Sequence, residues 1–332
     1  MDYPELIAAG EANLKAKGIL KNYSAGEGVC FRQGTETNHA NRFSREYFER
    51  FAFKFRLIDS AEASTEITLF NHKFKTPILS GALSTMGDIV EKPLVKIASG
   101  IKDSGSMMWV GMVTPEQLKE VIETGVPTVA IVKPFRDTQA MIDALKAAEA
   151  AGAIAVGTDI DFFYGAKRGD NPPAPKTMGP KGVEELKMLA GVTKLPFVLK
   201  GILSAEDAEK ALAIGAGGIV VSNHAGVVID YAAHPLEVLP EIKKVIGDRM
   251  PIFVDSGFRR GSDVMKALAL GADAVQLGWA LVMGLAANGS QGVAEMVDVL
   301  TAELQRIMSV TGCKRVLDID SGVLVAQHRC RC

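Results

Sequence analysis

Eight apolar runs of strand length, each followed by a segment of helical period, constrain this 332-residue chain more than any other feature. They are Pro77–Gly81, Ser106–Val110, Thr128–Val132, Ala153–Asp159, Pro196–Gly201, Gly218–His224, Pro251–Gly257 and Ala274–Gly278. The runs are continuous rather than alternating, which is the pattern of parallel strands buried on both faces. The segments between them carry helix punctuation. Ser204 is placed as an N-cap before an acidic first turn, and Gly215 stops that helix. Arg260–Leu270 stops at Gly271 in the same way. Eight strand–helix units within residues 77–332 match the size of an α/β fold of the (β/α)8 TIM-barrel type. An open doubly wound sheet is the alternative, because strand count alone does not prove closure.

Residues 1–76 precede the first barrel strand. They predict a helix over Glu5–Lys17 and another around Ser44–Phe51. A hairpin follows, Glu66–Phe70 against Lys73–Thr76, turning at Asn71-His72. This extension is expected to close one end of the barrel and not to stand as a domain of its own. The longest gap between strands follows strand four. It spans Asp161–Gly182 and contains the run Gly169-Asp-Asn-Pro-Pro-Ala-Pro. It reads either as a lid or as a tolerated insertion.

Composition excludes several partners. The net charge of −2 lacks the basic footprint of a nucleic-acid binder. The longest weakly polar stretch, Ala274–Ala287, is too short to span a bilayer and contains Gln276. No basic segment followed by an apolar core marks a signal peptide at the N-terminus. Four cysteines in a chain this long do not form a disulfide framework. The expectation is a cytoplasmic protein with no membrane or nucleic-acid partner.

The chemistry should sit where the barrel strands end, since barrel sites are built on that rim. Those ends carry Lys133, Asp159, Lys200, Ser222-Asn223-His224 and Asp255-Ser256-Gly257. Burying each charge costs several kcal/mol, of order, unless it is paired or used. One such residue could be structural; several converging on one rim indicate a site. Strands seven and eight end in Asp255-Ser256-Gly257 and Leu277-Gly278 and run straight into helices, as phosphate-binding turns do. Arg259 could add a charged fork. Gly215-Ala-Gly-Gly precedes a strand, so it is not a dinucleotide loop.

Three segments then resemble one family. Leu195-Pro-Phe-Val-Leu-Lys-Gly-Ile-Leu, Ile219-Val-Val-Ser-Asn-His-Ala-Gly and the stretch from Val254 to Ala272 are similar to the FMN-dependent 2-hydroxy-acid oxidases and dehydrogenases, the glycolate and lactate oxidase kind. The similarity is dense over residues 195–313 and thinner but co-linear over residues 31–161. It implies bound FMN, oxidation of a CH–OH group, reoxidation by oxygen or another acceptor, and a homotetramer or larger assembly. By the same resemblance, Lys200 lies near flavin N1 and O2, where a cation stabilises the reduced ring. His224 is the base that takes a proton from the hydroxyl-bearing carbon centre, and Asp159 orients it. Ser222 and the backbone of Ser80, Gly81 and Ala82 contact the flavin ring. Asp255, Ser256, Gly257, Arg259, Gly278 and Trp279 surround the ribityl chain and phosphate.

The departures fall at the substrate end. The family arginine that clamps the substrate carboxylate after the strand-six His-Gly-Gly is Val227 here, following His224-Ala225-Gly226. A carboxylate-binding tyrosine near the N-terminus is replaced within Val29-Cys30-Phe31-Arg32-Gln33-Gly34. A tyrosine after strand three aligns loosely with Lys133, and the arginine after the strand-eight glycine is Trp279. Lys133, Lys167 and Arg168 are the residues that could restore an anion site. Glycolate and L-lactate are therefore expected to be poor substrates. Competing readings are an FMN-dependent isomerase of the type 2 isopentenyl-diphosphate kind, and a flavin-binding protein that has lost oxidation. A purine-monophosphate dehydrogenase is disfavoured, because no cysteine follows a central strand. No metal is expected. The tail His328-Arg-Cys330-Arg-Cys332 reads as frayed, Cys30 as a small buried hydrophobe, and His39, His72 and His234 as surface or loop residues.

Overall fold

The computed structural model describes residues 1–20, 36–84, 86–165 and 177–327. All eight apolar runs form parallel strands of one sheet. They are β4 (Ile78–Ser80), β5 (Met108–Gly111), β6 (Thr128–Val132), β7 (Ala155–Asp159), β8 (Phe197–Ile202), β9 (Gly218–Val221), β10 (Ile252–Val254) and β11 (Ala274–Leu277). Each strand from β5 to β10 pairs with the next, and β11 returns to pair with β4. The β4–β5 seam is bridged by Ser80 N–H to the Met107 carbonyl (3.1 Å) and Gly111 N–H to the Leu83 carbonyl (3.0 Å). This wraps the sheet into the (β/α)8 barrel, and the open-sheet alternative is set aside.

The helices between strands end where their local chemistry stops them. Ser204 accepts from Asp207 N–H at the start of Ala205–Ile214, and Gly215 closes that helix at φ +83°. Side chains alternate across each strand, so one set faces the barrel interior. Leu79, Trp109, Val129, Val198, Val220 and Phe253 belong to this inner cluster. The other face packs beneath the helices.

The described residues ahead of β4 are tied to the rest of the chain at several places. The hairpin of β2 (Ile67–Leu69) and β3 (His72–Phe74) places Leu69 and Phe74 in the inner cluster. Lys75 N–H bonds the Gly105 carbonyl just ahead of β5, so this hairpin covers the N-terminal ends of the strands. Strand β1 (Phe51–Phe53) pairs antiparallel with β12 (Leu324–Ala326). Helix α1 (Tyr3–Ala16) packs on the C-terminal helical segment Trp279–Val310, which is kinked at Asn288-Gly289; a Cβ on Gly10 would come within 2.6 Å of the Met283 carbonyl.

The second helix, α2, differs from the expectation. It runs over His39–Phe48, and Phe51 begins β1. Its N-terminus is capped from a distance. The Asp230 carboxylate accepts from Thr37 N–H, His39 N–H, Ala40 N–H and the Thr37 hydroxyl at 2.9–3.1 Å. A cap supplied some 190 residues away leaves no local signal in the sequence.

Candidate active site

The period of two that fills the barrel also builds its mouth. Continuing each inward-facing row toward the C-terminal end passes from Ile131 to Lys133, from Val198 to Lys200, from Val220 to Ser222 and from Phe253 to Asp255. Asp159 ends β7 beside Lys200, its register partner on β8. The mouth is therefore lined by alternating charges. Lys200 Nζ lies 3.2 Å from Asp255 Oδ2, 3.7 Å from Asp159 Oδ1 and 3.2 Å from Ser222 Oγ. Lys133 pairs with Asp159 Oδ2, and both are buried. Burial works against the charge on Asp159, but the Lys133 and Lys200 ammoniums outweigh it and hold the carboxyl well below the usual carboxylate range. Burial likewise opposes charge on Lys200, and Asp255 and Asp159 hold it above the usual lysine range.

His224 stands at the end of β9 in a strained turn. His224, Ala225 and Gly226 have φ of +51°, +53° and +71°, a conformation that residues with a Cβ rarely adopt. Hydrogen bonds hold it there. His224 N–H donates to Ser222 Oγ (3.0 Å), Ala225 N–H to Ser256 Oγ (3.1 Å), and Gly226 N–H to the Asn223 carbonyl (2.9 Å). Ser256 in turn donates to Asp255 Oδ1 at 2.8 Å. The loops after β9 and β10 thus brace one another.

The carboxylate at the histidine is Asp161, which corrects the expectation for Asp159. His224 Nδ1 lies 2.9 Å from Asp161 Oδ2. An ionised carboxylate can only accept, so Nδ1 carries the hydrogen, and in the neutral ring the lone pair is on Nε2. Asp161 reaches the ring because a short 3-10 turn, Ile160–Tyr164, folds back after β7. It also needs Gly201, which has φ +99° at a register irregularity in β8. A Cβ there would stand 2.5 Å from Asp161 Cγ. Phe162 from the same turn lies 4.8 Å from the His224 ring, and the Lys133 ammonium sits 3.9 Å from the Phe162 ring centroid. Asp159, Asp161 and His224 bring ligand atoms within 4.8 Å of one another. The Lys133 and Lys200 ammoniums already supply the positive charge beside Asp159.

Gly81 and Ala82 lie at the end of β4, with the Gly81 N–H donated to the Leu277 carbonyl (2.7 Å). The Ser80 hydroxyl is turned into the β4–β5 seam, where it accepts from Trp109 N–H at 2.6 Å. Gly257 has φ +87° and presents its carbonyl to Arg45 (2.9 Å). The Arg259 guanidinium lies 4.9 Å from the Trp279 ring, next to Gly278, where the C-terminal helix begins. Val227 follows the strained turn and is half-buried. Lys133 is committed to Asp159, which removes it as an uncompensated substrate clamp. Lys167, Arg168, Cys30, Phe31 and the His328–Cys332 tail lie outside the described residues, as do residues 166–176 of the candidate lid.

His234 corrects a second expectation. It is fully buried, stacked on Tyr47 at 4.8 Å, and hydrogen-bonded to Ser44. Its Nδ1 accepts from Leu236 N–H (3.2 Å), so Nε2–H faces Ser44 Oγ (3.1 Å). His39 is half-buried and stacks on Tyr231 at 4.4 Å. Asp161, Gly201 and Gln276 were not singled out in the sequence as site residues. The Asp-Ile-Asp spacing at the end of strand four was the signal for Asp161. Gln276 lies on β11, and neither of its buried amide atoms has a hydrogen-bond partner among the described residues. Such a group suits a ligand or an ordered water.

The family model for FMN-dependent dehydrogenases matches residues 29–184 and 174–326. The chain belongs to that family. A 2-hydroxyacid oxidase of Dictyostelium discoideum is 30% identical over 307 residues, covering 82% of this chain and 79% of that protein. An L-lactate oxidase of Lactobacillus jensenii is 32% identical over 249 residues, covering 72% and 60%. Mandelate oxidase solved with 3,3-difluoro-2-hydroxy-3-phenylpropionic acid superposes with a TM-score of 0.85 at 28% identity over 98% of both chains. A mandelate oxidase variant with a monooxide FMN adduct superposes at 0.81, with 30% identity over 89% and 93%.

The cofactor of the family is FMN, and the donor chemistry of the mouth fits it. FMN carries a phosphate and a ring that becomes electron-rich on reduction. The chain places a guanidinium, Arg259, at the helix start beside Gly278, and a buried ammonium, Lys200, among the strand ends.

Proposed function

We propose that this FMN-dependent oxidoreductase converts a 2-hydroxy acid to the 2-oxo acid, with His224 as base and Asp161 as its orienting partner. The observation that carries this reading is the 2.9 Å contact between His224 Nδ1 and Asp161 Oδ2 at the mouth of an FMN-family barrel. When bound, FMN supplies the two-electron acceptor. Lys200, Ser222, Asp255, Ser256, Gly257, Arg259 and the Gly81–Ala82 and Gly278–Trp279 backbones would hold it. His224 Nε2 takes a proton from the CH–OH unit, and Asp161 stabilises the resulting imidazolium. Oxygen or another acceptor completes the cycle.

The substrate is proposed to be larger than glycolate or lactate. Val227 offers no charge, and Lys133 is already paired. Phe162 gives this end of the site an aromatic surface beside His224. A carboxylate partner from Lys167 or Arg168 remains a reading of sequence alone. The test is a panel of 2-hydroxy acids of increasing side-chain size, followed by flavin bleaching without oxygen and by detection of 2-oxo acid. Bleaching by an aryl or long-chain 2-hydroxy acid, with weak response to glycolate, supports the proposal. Conversion of substrate with no change in oxidation state would instead point to the isomerase reading. Val227→Arg should improve use of L-lactate, since a charged hydrogen bond contributes about 1.5–3 kcal/mol.

Assembly into a homotetramer or larger oligomer is proposed as well. The Arg56–Asp320 pair (2.9 Å) draws the 55–58 loop against the 311–320 turn, and Phe55, Leu57, Ile58 and Leu317 are all exposed there. A second copy of the chain would cover this apolar surface. Light scattering of the purified protein reads the assembly directly, and Ile58→Asp should reduce its size. No described helix is long and apolar enough to cross a membrane. The cytoplasm is the proposed location, and Cys313 is a free thiol there.

A further inference from the structure

Lys200 stands between two carboxylates. Its ammonium is 3.2 Å from Asp255 and 3.7 Å from Asp159 Oδ1. The other oxygen of Asp159 is held by Lys133. Asp159 Oδ1 itself receives no hydrogen bond among the described residues and is shielded from solvent. Its charge is therefore directed at Lys200 rather than dispersed into donors. Lys133, just past the end of β6, Asp159 on β7 and Lys200 on β8 follow one another around the rim. A buried ion pair is a weak source of stability, and an apolar pair would fill the same volume. Its effect on the field at the mouth is the larger consequence, because charges in a dry site interact strongly.

We propose that the Lys133–Asp159 pair sets the reduction potential of the bound FMN. Asp159 offsets part of the Lys200 charge that stabilises the reduced ring, and Lys133 limits that offset. The inference rests on the reading that Lys200 faces the electron-accepting ring. Every positive charge added near that ring favours its reduced form, and every negative charge opposes it. Asp159 is thus a tuning residue that acts through Lys200, and Lys133 acts through Asp159.

The two charges predict opposite outcomes when removed singly. Asp159→Asn leaves Lys133 uncompensated and should raise the midpoint potential. Lys133→Met leaves Asp159 uncompensated and should lower it. Each shift should be at least tenfold in the balance of reduced over oxidised FMN, about 30 mV for a two-electron couple. The double variant should return to within about threefold of the unsubstituted protein. Dye-coupled reductive titration of the FMN-loaded full chain, followed in the visible spectrum, gives all four potentials. Shifts of the same sign, no shift, or a double variant as displaced as either single one overturns the proposal. If one single variant does not fold, the other and the double variant still fix the sign: the double must lie above Lys133→Met or below Asp159→Asn. An unsubstituted protein that holds no FMN would contradict the cofactor site itself. FMN retained with like-signed shifts contradicts only the tuning.

Discussion

At the scale of single residues, Asp161 touches His224 only because Gly201 has no side chain. The Cβ of any other residue would meet the Asp161 carboxylate at 2.5–2.6 Å, and φ +99° at Gly201 would add backbone strain. Asp161→Asn and Gly201→Ala should therefore slow flavin reduction in the same direction. Each should remove part of the roughly 10²–10⁴-fold that a positioned base contributes. FMN content, read from the ratio of visible to ultraviolet absorbance, should stay unchanged in Asp161→Asn. Equal rates in Asp161→Asn and the unsubstituted protein would show that the 2.9 Å contact has no part in the chemistry. The positions of Lys200 and His224 at the barrel mouth were legible in the sequence because each closes an apolar run where packing has no use for charge. Asp161 was not, because two carboxylates two residues apart compete for one role. The choice depends on a 3-10 turn and a bulge in the neighbouring strand, neither of which has a local pattern.

Among the elements, α2 shows how a segment outside the barrel can be held by the site's own loops. Asp230 caps its N-terminus, and Lys266 Nζ donates to the Phe48 carbonyl (2.7 Å) at its C-terminus. Arg45 reaches Asp263 at 2.8 Å, and Asp263 also accepts Arg259 N–H (3.0 Å). Burial opposes the Asp230 charge, but the N–H groups of Ala40, His39 and Thr37 outweigh it and push its pKa down to about 2. A depressed carboxyl pKa stabilises the fold above the unfolded value and is lost as pH falls from about 4 to about 2. Asp230→Ala should cost about 1–2 kcal/mol in urea unfolding at neutral pH, as loss of a helix cap does. The barrel strands were fully legible as continuous apolar runs. The bounds of α2 were not, since both of its ends are satisfied by residues distant in the chain.

For the whole molecule, the barrel and its first 76 residues share one acid-sensitive joint. His234, at the end of the loop after β9, packs against α2, with Ser44, Tyr47 and Phe48 against it. Burial, and after it the Arg45 and Arg50 charges, push its pKa down to about 3. The unfolded chain binds a proton here below about pH 6.5 and the folded one does not. The stabilisation from neutral His234 is therefore present above pH 6.5 and drains away as pH falls toward 3. Melting temperature should drop steadily over that range, and His234→Gln should flatten the drop. A pH profile identical in both proteins would contradict this assignment. The central claim, that an FMN barrel here oxidises a 2-hydroxy acid through His224, is tested most directly by stopped-flow reduction of the bound flavin without oxygen, comparing the unsubstituted protein with His224→Ala on the best substrate of the panel. The account predicts equal FMN content and reduction slowed about 10²–10⁴-fold in the variant; reduction at the same rate in both would contradict it.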